Sequence, residues 1–232
     1  MKIAVEEVKG KIPILCGTGT INPNSVKEQT QQAIDLGCDG ALVVTPYYVK
    51  PPQRALVKHF VSIADMGLPV ILYNVPGRTA SDMSAETIAI CSEHENIVGL
   101  KDATGDLSRV GQTREMCGDD FLLLSGDDDT SLDFVLKGGD GCISVTANLD
   151  PGKMSNIMSL CLEGKDVDAK QLNANLETLH KKLFVESNPI VPKWALNRMG
   201  RITTPYCRPP LDILDSECHT IVEDALKEAG LI

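Results

Sequence analysis

The stretch Asn96-Ile97-Val98-Gly99-Leu100-Lys101-Asp102-Ala103-Thr104-Gly105 decides the fold. Its apolar residues predict a short buried strand that ends on Lys101, and the glycine that follows allows the chain to turn into a helix. In an α/β protein, the carboxyl ends of the strands carry the chemistry. A lysine there loses part of its hydration, which favours the free amine, and a free amine can form a Schiff base with a carbonyl substrate. The alternative is a lysine that merely ends the strand and reaches water.

Similar apolar segments recur along the chain, and a helical pattern follows each of them. Besides the strand that ends at Lys101, strands are predicted over residues 11–16, 41–45, 68–73, 120–125 and 141–145. Helices are predicted over residues 2–9, 24–36, 53–64, 86–93, 106–116 and 131–137, and only helices from about Met154 onward. Ser84 and Ser216 are candidate helix N-caps. Apolar strands that alternate with helices indicate a buried parallel sheet.

The strand count leaves two architectures open. A closed (β/α)8 barrel needs eight strands, whereas about six are visible, and an open barrel would expose its apolar interior and an unpaired edge. A barrel followed by a small helical domain still fits the order of elements better than two equal domains. The alternative is a doubly wound open sheet that binds a nucleotide. Gly17-Thr18-Gly19 follows the first predicted strand but lacks the third glycine of the dinucleotide fingerprint, so it supports that alternative only weakly.

The charge of the chain restricts its partners. The 232 residues carry a net charge of −10, with 43% hydrophobic and 23% charged residues. Nucleic acid or an anionic membrane would need a basic face, so we expect neither as a partner. No apolar run approaches the length that spans a bilayer, and the first residues do not resemble a signal peptide. A cytoplasmic location is therefore predicted.

The cysteines and histidines indicate neither disulfides nor a metal site. None of the eight cysteines forms a C-x-x-C pair, and several lie in apolar runs, which is typical of buried free thiols in a reducing compartment. The four histidines are far apart in the sequence and show no metal-ligand spacing. We predict that the protein binds no metal.

Polar residues follow the predicted strands at their carboxyl ends: Tyr47, Tyr48, Tyr73, Arg78, Lys101 and Asp127. A phenol beside a lysine amine can act as a general acid or base, and an arginine can hold a carboxylate with its planar fork. Each residue also has a structural interpretation, since Tyr73 could be a core phenol and Arg78 a solvated loop residue. Their common position at the strand ends favours a catalytic site.

Five motifs of the chain resemble the dihydrodipicolinate synthase family of class I pyruvate-dependent aldolases and lyases. They span residues 44–48, 72–79, 99–105, 125–128 and 184–190, so the resemblance covers nearly the whole chain. It implies the fold of a (β/α)8 TIM barrel, present in this chain as an incomplete barrel over residues 1–163, and a C-terminal helical domain over residues 164–232. It also implies no cofactor, and a homo-oligomer, either a dimer or a tetramer of tight dimers.

The resemblance assigns the catalytic roles. Lys101 would form an imine with pyruvate, and the enamine derived from it would attack the aldehyde of L-aspartate 4-semialdehyde. Cyclisation would release 4-hydroxy-tetrahydrodipicolinate, an intermediate of lysine and diaminopimelate biosynthesis. Tyr73 would carry protons in and out of the site. Tyr48 would reach into the site of a partner subunit as part of a proton relay.

The same resemblance assigns four substrate-binding residues. Arg78 would hold the carboxylate of the semialdehyde, and the backbone carbonyl of Ile143 would contact pyruvate. Thr79 and Gly126 lie in the shared motifs and are expected to border the substrates. Sister enzymes such as N-acetylneuraminate lyase keep the lysine and tyrosine but lack the arginine, so Arg78 favours the synthase.

The chain departs from the family pattern in two places. The family begins with a segment that carries a Gly-Thr-Thr-Gly-Glu loop, and this sequence contains no such loop. We therefore expect a barrel truncated at its N-terminus to about six β/α units, with impaired activity. Where some members bind lysine as a feedback inhibitor through an Asn and a Glu, this chain has Ile21 and Ser25, although Tyr47 of that site is present.

Two alternatives to the synthase remain open at this stage. One is a noncatalytic remnant that serves as an oligomeric scaffold. The other is a sister pyruvate aldolase that uses a different aldehyde. Trapping of a pyruvate adduct on Lys101 would separate the first from an enzyme, and a comparison of aldehyde substrates would separate the second from the synthase.

Overall fold

The computed structural model describes all residues from Met1 to Ile232 and places six strands and twelve α-helices along the chain. The chain divides into two units. The first comprises Met1–Gly126 together with Lys137–Asp140, and the second comprises Asp127–Leu136 together with Gly141–Ile232. The boundary at residue 163 expected from the sequence stays a prediction.

The first unit is built on five parallel strands that pair in the order of the chain. They are β1 (Leu15–Gly17), β2 (Gly40–Val44), β3 (Val70–Asn74), β4 (Ile97–Asp102) and β5 (Leu122–Ser125). A doubly wound sheet reverses its strand order at a switch point, and this order does not reverse. The α/β class with a parallel sheet is therefore confirmed, and the doubly wound alternative is wrong.

Six helices of the first unit alternate with these strands: α1 (Lys2–Val8), α2 (Pro23–Asp35), α3 (Gln53–Ala64), α4 (Pro76–Thr79), α5 (Ala85–Ser92) and α6 (Ser108–Cys117). Their ends follow local chemistry. The Asn22 side chain caps α2, where Pro23 occupies the first turn, and the Ser84 hydroxyl accepts a hydrogen bond from Thr87 N at 3.3 Å as the predicted cap of α5. The helix α3 buries Leu56 and Phe60 completely.

The two faces of this sheet differ in burial. Side chains alternate along a strand, and Val43, Leu72 and Leu100 lie on the face that the helices cover, with at most 1% of their surface exposed. On the other face, Leu15 and Leu122 are 39% and 42% exposed. This second face also carries Lys101, so the sheet presents its chemistry on the less covered side.

The second unit is almost entirely helical. It contains the two-residue strand β6 (Gly141–Cys142) and the helices α7 (Ser131–Leu136), α8 (Pro151–Leu162), α9 (Asp166–Ala174), α10 (Glu177–Lys182), α11 (Ile190–Arg198) and α12 (His219–Glu228). Its apolar core includes Met154, Ile157, Leu176, Leu179 and Val222. The predicted run of helices from Met154 onward is confirmed. Ser216 does not cap the last helix, because it opens a 3-10 turn, Ser216–Cys218, which Asp215 caps.

None of the twelve helices combines the length and the apolar character needed to cross a lipid bilayer.

Candidate active site

Lys101 and Tyr73 face each other on neighbouring strands. Tyr73 is the register partner of Lys101 across β3 and β4, and paired residues of parallel strands project to the same face. The Lys101 Nζ atom lies 4.2 Å from the centroid of the Tyr73 ring. Lys101 is only 8% exposed. The alternative of a lysine that merely ends its strand in water is therefore wrong.

Gly126 leaves the space that the lysine side chain occupies. A Cβ atom at this position would lie 2.7 Å from Lys101 Cε and 2.7 Å from Ala103 Cβ, well inside van der Waals contact. The backbone N–H of Gly126 donates to Asp102 O at 2.7 Å, which holds the glycine against β4. Gly126 was expected to border the substrates, and in the structure it forms one wall of the Lys101 site.

Arg78 and Tyr73 influence each other electrostatically. Burial raises the pKa of the Tyr73 phenol, and the positive charge of Arg78 partly opposes this rise. A raised pKa disfavours the phenolate, so Tyr73 faces the amine as a neutral phenol at neutral pH. Arg78 is exposed and lies in the short helix α4, which spans Pro76–Thr79 and is followed by the C-cap residue Ala80 with a left-handed φ of 54°.

A cavity of ≈ 320 Å³ adjoins this pair. Its lining residues are Gly17, Gly19, Leu42, Val44, Tyr47, Tyr73, Val75, Arg78 and Thr79. Arg78 is the single charged side chain among them, and it can bind a carboxylate with its guanidinium fork. Tyr73 belongs both to the cavity and to the Lys101 contact. An anionic small molecule in this cavity would therefore lie next to the amine.

Gly19, which follows β1, serves packing. A Cβ atom at Gly19 would overlap Val44 N, so only glycine allows this close approach of the loop to β2. This contact accounts for Gly19 without a phosphate ligand, whereas a Cβ atom at Gly17 would meet no atom within 4 Å.

Thr79 lines the cavity, but its hydroxyl is used within the protein. The residue is 2% exposed, and Thr79 Oγ1 donates to Ser81 O at 2.9 Å and bonds to Thr45 Oγ1 at 3.2 Å. It also accepts from Ser81 N at 3.2 Å. What Thr79 can offer to a ligand is its methyl group and its backbone.

Two predicted site residues, Tyr48 and Ile143, are not among the residues that line the cavity. Tyr48 is 85% exposed in the loop after β2, with a positive φ of 71°. Ile143 follows β6 in the second unit and is half-buried. The roles assigned to both residues stay predictions.

The sequence analysis missed a network of polar side chains behind the site. Arg109, in the first turn of α6, donates from Nε to Asp102 Oδ2 at 3.0 Å, from Nη1 to Asp82 Oδ2 at 3.1 Å and from Nη2 to Met83 O at 2.6 Å. Asn74 Nδ2 donates to Asp82 Oδ1 at 2.8 Å. The position of Asp102 directly after Lys101 was the one available signal, since a buried carboxylate needs a partner.

The 232 residues contain no group of three or more His, Cys, Asp or Glu side chains that could hold a metal ion.

Comparisons by sequence and by structure lead to proteins of the same kind. The model of the dihydrodipicolinate synthetase family matches residues 1–229. The 4-hydroxy-tetrahydrodipicolinate synthase of Saccharophagus degradans is 47% identical over all of this chain and 80% of its own length. The enzyme of the same name from Pseudomonas aeruginosa is 45% identical over 98% of this chain and 78% of its own length.

Solved structures match equally well. Dihydrodipicolinate synthase from Acinetobacter baumannii, in complex with pyruvate, superposes with a TM-score of 0.97 at 44% identity, over 100% of this chain and 79% of that one. The synthase from Thermotoga maritima gives a TM-score of 0.95 at 37% identity, over 100% of this chain and 80% of that one. Sequence and structure agree that this chain belongs to the dihydrodipicolinate synthetase family.

Proposed function

We propose that this protein is a Schiff-base lyase that condenses pyruvate with L-aspartate 4-semialdehyde to 4-hydroxy-tetrahydrodipicolinate, in lysine and diaminopimelate biosynthesis. The names of its relatives, at 45–47% identity, support this activity. The observation that carries the proposal is a buried lysine whose Nζ lies 4.2 Å from a tyrosine ring, beside a cavity with one arginine.

Lys101 is the proposed nucleophile. Its amine attacks the ketone of pyruvate and water leaves, which gives an imine. The protonated imine withdraws electrons, so a methyl proton can leave and an enamine forms. The enamine carbon bonds to the aldehyde carbon of the semialdehyde, and the amine of the semialdehyde then displaces Lys101 as the ring closes. The balance is one water released for each pair of substrates.

The two tyrosines are the proposed proton carriers. Tyr73 is a phenol next to the amine, so it can give a proton to the departing oxygen and later recover it. Tyr48 is exposed on its own subunit, as it must be if it contributes to the site of a second copy. We propose a homo-oligomer, a dimer or tetramer, on this ground.

The substrate-binding residues follow from charge and position. Arg78 binds the semialdehyde carboxylate in the cavity, and Thr79 supports it from the same helix. Gly126 keeps the wall beside Lys101 open for pyruvate. The carbonyl of Ile143 contacts the bound pyruvate.

The finer architecture is also proposed. The parallel strands in chain order correspond to six of the eight β/α units of a TIM barrel, over residues 1–163, with a helical domain over residues 164–232. TM-scores of 0.95 and 0.97 to the two solved synthases support this assignment. A cytoplasmic location fits an enzyme of amino-acid biosynthesis.

Reductive trapping tests the proposal. The purified chain is incubated with pyruvate and borohydride and then digested with a protease. The masses of its peptides are measured by mass spectrometry. We expect a stable pyruvate adduct on the peptide that contains Lys101 and none in Lys101→Arg, which keeps the charge but cannot form the imine. A folded wild-type protein without the adduct would refute the assignment and leave a noncatalytic scaffold.

A second assay defines the aldehyde. The protein that carries the pyruvate imine is incubated with aspartate semialdehyde and, in parallel, with sugar-acid aldehydes of similar length. Faster turnover of the semialdehyde, with that preference lost in Arg78→Met, supports the synthase. A preference for sugar-acid aldehydes would identify a sister aldolase instead.

A further inference from the structure

We infer that Arg109 is a positioning residue that ties the loop carrying Arg78 to the end of the Lys101 strand. This inference rests on the proposed function, because it assigns to Arg109 the task of holding the carboxylate-binding subsite in register with the imine-forming amine.

The Arg109 guanidinium binds three groups from two separate segments. Asp102 ends β4, one residue after Lys101, whereas Asp82 and Met83 end the loop between α4 and α5. All three contacts are between 2.6 and 3.1 Å. One planar side chain therefore joins the loop to the strand in a fixed geometry.

Asn74 closes the network on the other side. It ends β3 opposite Asp102, and its side-chain oxygen accepts from Met83 N at 3.1 Å while its amide nitrogen donates to Asp82 Oδ1 at 2.8 Å. Each oxygen of Asp82 thus has its own donor, one from Asn74 and one from Arg109. Asn74 is fully buried, whereas the Asp82 side chain is 49% exposed, so the network runs from the interior to the surface.

The hydrogen-bond network extends from Asp82 back to the residue next to Arg78. Ser81 precedes Asp82 and exchanges hydrogen bonds with the Thr79 hydroxyl, at 2.9 Å and 3.2 Å. Thr79 adjoins Arg78 in α4 and is anchored to Thr45 at the end of β2. A displacement at Asp82 would therefore be passed through Ser81 and Thr79 to Arg78.

Arg109 acts through other residues and does not touch the substrates. It is not among the residues that line the cavity. Asp102 and Lys101 are consecutive residues of β4, so their side chains point to opposite faces of the sheet. Arg109 therefore lies behind the site. Burial disfavours the guanidinium charge, but the carboxylates of Asp102 and Asp82 outweigh this effect and raise the pKa of Arg109.

A matched arginine on the same helix provides the control. Arg114 has the same side-chain exposure as Arg109, 19%, and an equally rich set of partners, including Phe121 O at 2.8 Å and Asp140 Oδ2 at 2.8 Å. Its partners lie around the amino end of β5. Arg114→Met therefore removes a comparable network without touching the loop that carries Arg78.

The test compares Arg109→Met, Arg109→Lys and Arg114→Met by amide hydrogen exchange of the full chain. We expect exchange over residues 75–83 to accelerate on the order of tenfold in Arg109→Met, with a smaller effect in Arg109→Lys, which keeps the charge but not the fork. Arg114→Met should leave this segment unchanged. Equal exchange in the two methionine variants would overturn the inference.

Kinetics give the second readout. In Arg109→Met, the KM for the semialdehyde should rise on the order of tenfold, because the carboxylate loses its aligned partner, while trapping of the pyruvate imine stays within about twofold of the wild type. In the double variant, Arg78→Met with Arg109→Met, the KM for the semialdehyde should be no higher than in Arg78→Met alone. An additional rise in the double variant would show that Arg109 does not act through Arg78.

The two proposals fail in different ways. A wild-type protein that forms no pyruvate adduct refutes the proposed function, and the exchange comparison still decides whether Arg109 holds the loop. If the wild type and the Arg109 and Arg114 variants all form the adduct, and loop exchange and KM are unchanged in Arg109→Met, only the positioning role is refuted.

Discussion

Replacing Gly126 by alanine should separate the lysine from the tyrosine that it contacts. The added methyl carbon would lie 2.7 Å from Lys101 Cε and from Ala103 Cβ, whereas carbon atoms in ordinary contact are about 3.5–4.0 Å apart. An overlap of about 1 Å must be relieved. Ala103 is held by its backbone, so the flexible end of Lys101 is the group that moves.

The size of the effect follows from these contacts. Overpacking of this kind costs about 1–3 kcal/mol of stability, and the displaced amine should form the pyruvate imine about 10- to 100-fold more slowly. The assay is the rate of borohydride trapping with pyruvate, measured beside a thermal melt. Gly111→Ala is the matched control, because no atom lies within 4 Å of its added methyl group and it sits inside α6.

The control variant Gly111→Ala should show neither the loss of stability nor the slower trapping expected of Gly126→Ala. Alanine is favoured over glycine within a helix by about 0.5–1 kcal/mol, so Gly111→Ala should melt at a slightly higher temperature and trap pyruvate at the wild-type rate. If folded Gly126→Ala also trapped pyruvate at the wild-type rate, the argument that Gly126 shapes the Lys101 site would be wrong.

Three further outcomes can be measured. Arg78 lowers the pKa that burial raises at Tyr73, so Arg78→Met should move the alkaline limb of the pH–activity profile upward, as a phenolate titration would also show. Burial raises the pKa of the Asp102 carboxyl and Arg109 opposes that rise, so in Arg109→Met the folded state should favour the protonated acid more strongly. The decrease in the free energy of unfolding caused by Arg109→Met, measured in denaturant, should then be smaller at about pH 4 than at about pH 8. A larger decrease at about pH 4 would contradict this expectation. Burial raises the pKa of Cys91 to about 12, so iodoacetamide should label it after unfolding and leave it unlabelled in the native protein.

The helices were predicted more accurately than the strands, for a physical reason. The helix α3 was predicted over residues 53–64 and is observed over Gln53–Ala64, because its periodicity and hydrogen bonds are local. The strand β1 was predicted over residues 11–16, but only Leu15–Gly17 pairs with β2. Pairing with a neighbour defines a strand, and the sequence of one segment does not contain its neighbour.

The same distinction holds for the site. The apolar segments and the polar residues after them were enough to bring Lys101, Tyr73 and Arg78 together as candidates. The network of Arg109 was missed because its partner Asp82 lies 27 residues earlier in the chain, a spacing that has no recognisable pattern. Sequence motifs report groups that are near in the chain, whereas this network joins the ends of different elements.

By itself, the sequence determined the parallel α/β order, a strand with Lys101 near its carboxyl end and the residue types at the strand ends, because apolar periodicity and turn residues act locally. The strand itself ends one residue later than predicted, at Asp102. The tertiary structure alone decided that the amine lies over the Tyr73 ring, that Gly126 leaves room for it and that Arg109 joins the Arg78 loop to β4. These features depend on strand register and on contacts between segments that are distant in the chain. Both are defined only when the strands pair and the sheet has formed.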